Sequence, residues 1–176
     1  IANIAGVRLA TAQYMFLDFD HDGVLTSDDY HFGGFSGPDT LDLYLVTDRN
    51  MDGSSVACAS EGGGRDVTSY SVNFRASQSA VTFSNVTNMV PGMGGIVPLT
   101  INPYAMSVGY GGGSPLPSGK HLLLRFTVER QRYDGYCPEL HIEASSCFSP
   151  PGVVTSFGST CPSIQGDELH RLGEDW

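Results

Sequence analysis

The chain has 176 residues, and its 19 acidic and 9 basic side chains give a formal net charge of −10 at pH 7. This length suits one domain, spanning 1–176, that is large enough to bury a hydrophobic core. The acidic balance disfavours nucleic acid and anionic membranes as partners. No run of 18 apolar residues occurs, so no membrane-spanning helix is expected.

The first predicted element is a strand over 7–17 that runs directly into an acidic loop, residues 18–29. This loop has the ligand spacing of an EF-hand calcium loop, with carboxylates at positions 1, 3 and 5, glycine at position 6 and an acid at position 12. Position 7 contributes a backbone carbonyl. The predicted Ca²⁺ ligands are therefore Asp18, Asp20, Asp22, Val24 and Asp29. Asp29 is shorter than the usual Glu, so weaker binding is expected.

The residues after this loop exclude the exit helix of a helix-loop-helix hand, because Gly33, Gly34, Gly37 and Pro38 disfavour helix. The loop is therefore expected between strands, and the next strand is predicted over 41–47.

A second acidic loop, residues 48–54, repeats part of the pattern. Its predicted calcium ligands are Asp48, Asn50, Asp52 and Ser54, but position 12 is Ala59. A further ligand, such as Glu61 or Asp42, would then be needed. The alternative is a turn held by its own polar side chains.

The rest of the chain reads as short strands joined by turns rich in glycine and proline. Strands are predicted over 67–76, 81–86, 96–110 with a break near Pro103, 121–130, 140–144 and 153–157. Turns are predicted at 111–113 and 115–119, and 166–172 could form a helical turn. The fold class is thus all-β, an antiparallel β-sandwich of jelly-roll or cohesin-like type with EF-hand-like calcium loops between strands.

Alternation within two of these strands predicts which side chains face the core. In the strand over 67–76, the even-numbered residues from Tyr70 to Ala76 are expected inside, and Ser71, Asn73 and Arg75 outside. In the strand over 121–130, the even-numbered residues from Leu122 to Val128 alternate with the odd-numbered residues from Leu123 to Glu129, so the two sets are expected on opposite faces.

Four cysteines occur without a C-x-x-C pair or a nearby histidine pattern, which favours disulfides in an oxidising compartment over zinc. Three pairings are possible. We favour Cys137 with Cys147, as a local link, and Cys58 with Cys161; free buried thiols are the alternative.

Several stretches resemble uncharacterised secreted bacterial proteins that carry paired acidic loops ahead of a cohesin-like or carbohydrate-module-like sandwich. The resemblance lies in 15–29 (MFLDFDHDGVLTSDD), 41–54 (LDLYLVTDRNMDGS), 69–76 (SYSVNFRA), 155–161 (TSFGSTC) and the closing 172–176 (LGEDW). It implies a β-sandwich in an extracellular or cell-surface setting, and it implies no reaction. The first residue, Ile1, is consistent with removal of a signal peptide, or with trimming of the chain.

No catalytic constellation is evident, so an enzyme is not expected. The segment 34–37 lacks the closing glycine of a nucleophile elbow, and the five histidines have no metal-ligand spacing. A pair such as Glu129 and Glu143 would suit glycoside hydrolysis only if their strands were neighbours.

Two functions remain. The first is a non-catalytic extracellular calcium-binding structural or adhesive protein, a subunit of a surface fibre. Its partner would be itself, through donation of the apolar segment 1–7, with Ile1, Ile4 and Val7 entering a neighbour's sheet edge. The alternative is a monomeric module that binds a polysaccharide or a partner domain, using a row drawn from Tyr104, Tyr110, Tyr133 and Tyr136.

Overall fold

Ten β-strands and no α-helix occur in the residues that the computed structural model describes, which are 13–26, 29, 37–50, 53–55, 66–77, 81–130, 139–143, 154–161 and 170–171. The strands are β1 (Tyr14–Asp18), β2 (Asp39–Val46), β3 (Val67–Ser77), β4 (Val81–Asn88), β5 (Gly94–Asn102), β6 (Ala105–Leu116), β7 (Lys120–Arg130), β8 (Glu139–Glu143), β9 (Ser156–Ser159) and β10 (His170–Arg171).

These strands form two sheets. The first sheet has the order β10-β1-β2-β7-β4, and the second has the order β5-β6-β3-β8. Both β8 and β9 pair with β3, β8 along 73–77 and β9 along 67–71. Every pairing between strands is antiparallel except that of β1 with β10. The predicted all-β class is confirmed.

A hydrophobic core joins the two sheets. The ring of Phe74 on β3 lies 4.8 Å from that of Phe126 on β7, and Phe83 on β4 packs against the same ring at 6.2 Å. The hydroxyl of Tyr70 on β3 lies 2.8 Å from the carbonyl oxygen of Leu123 on β7. Aromatic contacts between sheets of this kind are typical of a β-sandwich.

The alternation predicted for β7 is wrong at Leu122 and Leu123. Leu123 and Leu124 are both fully buried, whereas Leu122 is only half-buried. The cause is a β-bulge: Leu43 pairs with Leu124, but Tyr44 pairs with Leu122, so Leu123 is an extra residue in β7. The carbonyl of Leu123 instead accepts a hydrogen bond from the backbone N–H of Met89.

The prediction that Ser71 and Asn73 face solvent is also wrong, although Arg75 is exposed as expected. Ser71 and Asn73 lie on the outer face of β3 but are covered by the segment that enters β9. Asn73 contacts Thr155 through both its backbone and side-chain nitrogens, at 2.9 and 3.2 Å. Ser107 donates to the Asn73 side-chain oxygen at 2.6 Å. A polar cluster therefore fills this part of the face.

Two predicted turns are strand in the structure. Gly111, Gly112 and Gly113 belong to β6, where Gly112 and Gly113 have positive φ. His170 and Arg171, predicted within a helical turn, pair with β1.

The disulfide pairings stay predictions. Cys161 is fully buried, but the other three cysteines lie outside the described residues.

Two further sets of predicted residues also lie outside the described part of the chain. They are the segment 1–12, which contains Ile1, Ile4 and Val7, and the second-loop residue Asp52.

Within the part of the chain that is described, no helix has the length and apolar character needed to cross a membrane.

Candidate metal centre

The first acidic loop begins at the last residue of β1. Asp18 is fully buried there, and both of its carboxylate oxygens accept backbone hydrogen bonds. His21 N–H donates to Oδ1 and Gly23 N–H donates to Oδ2, each at 2.8 Å. The first carboxylate of the loop is therefore held rigidly at the end of a central strand.

The next two carboxylates are exposed, and each folds back on the chain. The N–H of Asp22 donates to Oδ1 of Asp20 at 3.1 Å, and the N–H of Val24 donates to Oδ1 of Asp22 at 2.6 Å. These are Asx-type turns, in which an aspartate accepts a hydrogen bond from the amide two residues further on. As a result, Asp18, Asp20 and Asp22 each place a carboxylate oxygen within 4.8 Å of the others.

Gly23 at position 6 is needed for its backbone conformation. Its φ is +74°, in the left-handed region. A Cβ at this position would lie 3.2 Å from Lys120 Nζ and 3.3 Å from the Tyr44 hydroxyl. The glycine therefore provides both the turn and the space for the loop to lie against the first sheet.

Asp29 closes the loop from its far end. Its buried carboxylate accepts hydrogen bonds from the N–H of Phe19 at 2.9 Å and the N–H of Thr26 at 2.7 Å. It is not part of the group formed by the other three acids. The structure thus brings three of the five predicted ligands together, and the fourth carboxylate holds the two ends of the loop in place.

Burial raises the pKa of the Asp18 carboxyl, and the nearby Asp20 and Asp29 raise it further, while the amides of Gly23 and His21 oppose the rise. The charged form of Asp18 is therefore disfavoured among its acidic neighbours. A divalent cation would reverse this balance, because it favours the ionised form of each carboxylate. Carboxylate and carbonyl oxygens are also the ligand chemistry that Ca²⁺ prefers, so the residues present fit this ion.

Two side chains of the first sheet, Lys120 and Asp42, contact the loop, and Arg125 binds Asp42. The sequence pattern alone does not assign this role to any of the three. Lys120 on β7 donates to the carbonyl of Gly23 at 2.5 Å and lies 5.4 Å from the centre of the Tyr44 ring. His21 Nδ1 lies 3.0 Å from Oδ2 of Asp42 on β2. Arg125 on β7 donates two hydrogen bonds of 2.6 Å to the same carboxylate.

Asp42 is fully buried by this arrangement. Burial alone would raise the pKa of its carboxyl, but the hydrogen bonds and charges of Arg125 and His21 outweigh that effect, and its pKa is lowered. The sequence allows Asp42 as an extra ligand for the second loop. Its contacts instead connect the first loop to the sheet.

The second loop shows a different geometry. Asp48 is paired with the Arg49 guanidinium through two contacts of 3.2 and 3.1 Å. Asn50 bonds to Ser54 through its backbone N–H at 2.8 Å and its side-chain amide at 2.9 Å, and Gly53 has a φ of +82°. These bonds match the alternative of a turn held by its own side chains. Since Asp52 is not described, calcium binding at this loop stays a prediction.

The other candidate sites do not assemble within the described residues. Glu129 lies on β7 and Glu143 on β8, in different sheets. Tyr104 is 49% exposed, but the Tyr110 ring packs against the core residue Tyr70 at 5.6 Å. Tyr133 and Tyr136 lie outside the described part of the chain.

No family model matches this chain, and no curated protein matches it. The resemblance to secreted bacterial calcium-loop proteins therefore stays a prediction.

Proposed function

We propose that this protein is a non-catalytic, extracellular, calcium-binding structural or adhesive protein. The observation that supports it best is the convergence of the Asp18, Asp20 and Asp22 carboxylates within 4.8 Å. Ca²⁺ would be held by these three groups, the Val24 carbonyl and Asp29. The ion would supply charge neutralisation and stiffness rather than chemistry.

The position of the loop supports a structural role. It is bound to the outer face of the first sheet through Lys120 and through the His21 contact with Asp42. An ion that orders this loop would therefore also stabilise the adjoining residues of β1, β2 and β7. A cohesin-like or jelly-roll topology, secretion, and assembly through donation of residues 1–7 belong to the same proposal.

Calorimetric titration of calcium into chelator-treated protein tests the proposal. The expected dissociation constant lies at roughly 10⁻⁴–10⁻³ M, as for extracellular calcium modules. Asp20→Asn should weaken binding about tenfold or more, because it removes an exposed ligand oxygen without disturbing the core. Asp66→Asn, which removes the same charge outside both loops, should leave the affinity within about twofold.

The stoichiometry of the same titration assigns the second loop. Two ions, one of them lost in Asp48→Asn, would place calcium at both loops, whereas one ion lost in Asp20→Asn would place it only at the first. An absence of binding at millimolar calcium would contradict the proposal. Equal weakening by Asp20→Asn and Asp66→Asn would show a general charge effect instead.

A further inference from the structure

Charged residues are missing from a long continuous part of the sequence. Residues 76–119, a quarter of the chain, contain no Asp, Glu, Lys, Arg or His, so all 19 acidic and 9 basic side chains lie elsewhere. This part of the chain forms β4, β5 and β6. Depletion of charge is a feature that distinguishes the core of a protein interface from the rest of a surface.

The same part of the chain contains an exposed apolar cluster. Among the described residues, six large apolar side chains are exposed, and four of them lie within nine residues. We call these four the β5 edge: Ile96 (57% exposed), Leu99 (46%), Ile101 (42%) and Tyr104 (49%). Clustered exposure of this kind indicates an interaction surface, whereas scattered apolar residues do not.

The position of this cluster in the fold leaves it accessible in one copy of the chain. β5 is the outermost strand of the second sheet, and β4 is the outermost strand of the first. The two are joined near the β5–β6 turn, where Val81 N–H donates to the carbonyl of Pro103 at 2.8 Å. The uncharged outer strands of both sheets therefore lie on the same side of the sandwich.

We propose that the β5 edge is the surface through which two copies of this chain associate. Each copy carries a net charge of −10, so two copies repel each other wherever their charged surfaces meet. The uncharged strands are where this repulsion is weakest. A charged partner of either sign would find no complementary charge on them, whereas the β5 edge of a second copy presents the same uncharged, apolar side chains.

The backbone of β5 determines the type of contact. Pro98 lacks an N–H, and the pairing of β5 with β6 is irregular between Gly95 and Val97 and between Val97 and Thr100. Such features disfavour the addition of a regular strand to a sheet edge. The association is therefore through packed side chains, with the same patch meeting itself across a two-fold axis.

This inference rests on the proposed structural role and names the contact surface for it. The test is the mass of the oxidised protein by light scattering and sedimentation, from micromolar to millimolar concentration. The wild-type mass should rise from 18.8 kDa to twice that value. Leu99→Asp should remain at 18.8 kDa at concentrations where the wild type is dimeric, because its dimer affinity should be weakened about tenfold or more. Val154→Asp, at a position 47% exposed outside the edge, should behave like wild type.

Circular dichroism and the calcium affinity of each variant separate this test from that of the proposed function. Unchanged calcium binding in a monomeric Leu99→Asp variant supports the inference. If the wild-type protein dimerises through the β5 edge but binds no calcium, that result also supports the inference and contradicts only the proposed calcium site. Ile96→Asp replaces Leu99→Asp if the latter does not fold.

Salt provides a test that needs no substitution. Because the contact contains no charge and the copies repel, wild-type association should strengthen as salt screens the net charge. Weaker association in salt would overturn the inference, as would a wild-type monomer at all concentrations. Assembly that persists in Leu99→Asp but is lost on deletion of residues 1–7 would assign the contact to a donated strand. This result would also overturn the inference about the β5 edge.

Discussion

Asp42 shows how one buried carboxylate links the acidic loop to the sheet. It is fully buried on β2 and held by Arg125 on β7 and His21 in the loop. Hydrogen bonds to an ionised group contribute more than neutral ones, and a buried charge that loses its partner is costly. Asp48 and Arg49 form a similar pair in the second loop, but both side chains are partly exposed.

Comparison of these two ion pairs gives a prediction at the residue scale. Arg125→Gln should lower the free energy of unfolding at pH 7 by about 1–3 kcal/mol, whereas Arg49→Gln should lower it by clearly less, because solvent screens the exposed pair of Asp48 and Arg49. Urea denaturation of both variants measures the difference. Equal losses would contradict the structural role assigned to Asp42.

The pH dependence of stability tests the same contact. Since the pKa of Asp42 is lowered in the folded protein, its contribution is present above the unfolded pKa of about 3.9. The contribution is lost as the pH falls through the lower folded pKa. The stability difference between wild type and Arg125→Gln should therefore shrink in acid, below about pH 4. A difference that stays constant through this range would contradict the prediction.

At the scale of an element, β7 depends on its bulge. The extra residue Leu123 brings two consecutive leucines into the core, and its carbonyl lies within hydrogen-bonding distance of the Tyr70 hydroxyl and the Met89 amide. Because the bulge moves Leu122 out of the core, simple alternation assigns these two residues to the wrong faces.

Leu123→Ala should therefore destabilise the fold by about 2–5 kcal/mol, the usual cost of a leucine-sized cavity in a packed core. Leu122→Ala is the matched control and should cost less, because this side chain is only half-buried. Denaturant unfolding measures the loss of stability in each variant. Simple alternation predicts the larger loss for Leu122→Ala, and the bulge predicts it for Leu123→Ala. A larger loss for Leu122→Ala would show that the register of β7 is not as described.

At the scale of the whole molecule, the distribution of charge is the main feature. Nine of the 19 acidic residues lie between Asp18 and Asp52, where Arg49 is the only Lys or Arg, and the segment 76–119 has no charge at all. This acidic segment, residues 18–52, is self-repelling unless cations neutralise it. In our proposals calcium stabilises one part of the molecule, and the uncharged edge of β5 associates with a second copy.

Calcium should accordingly raise the thermal unfolding midpoint, and a chelator should lower it. At a calcium concentration 100 times the dissociation constant, binding at one site adds about 2.7 kcal/mol to the free energy of unfolding. Asp20→Asn should lose most of this increase. Sodium chloride at matched ionic strength is the control, because an equal increase with sodium would indicate general screening instead of a calcium site.

Much of the architecture could be predicted from the sequence because its signals are local. The acidic spacing of 18–29 placed a loop directly after a strand, and alternation along β3 identified inward residues such as Tyr70, Val72 and Phe74. Gly23 was expected at the sharp turn and has the left-handed backbone that such a turn requires. These features depend on residues close together in the chain.

Only the tertiary structure decided the features that depend on register and on coverage by distant segments. The bulge at Leu123 arises from pairing with β2, and Asn73 is buried because Thr155, 82 residues later, lies over it. Lys120 and Asp42 contact the loop, and Arg125 binds Asp42, because β2 and β7 are neighbours in the first sheet. Local composition by itself determined most of the strands and the acidic loop, whereas pairing between distant strands determined what holds that loop in place.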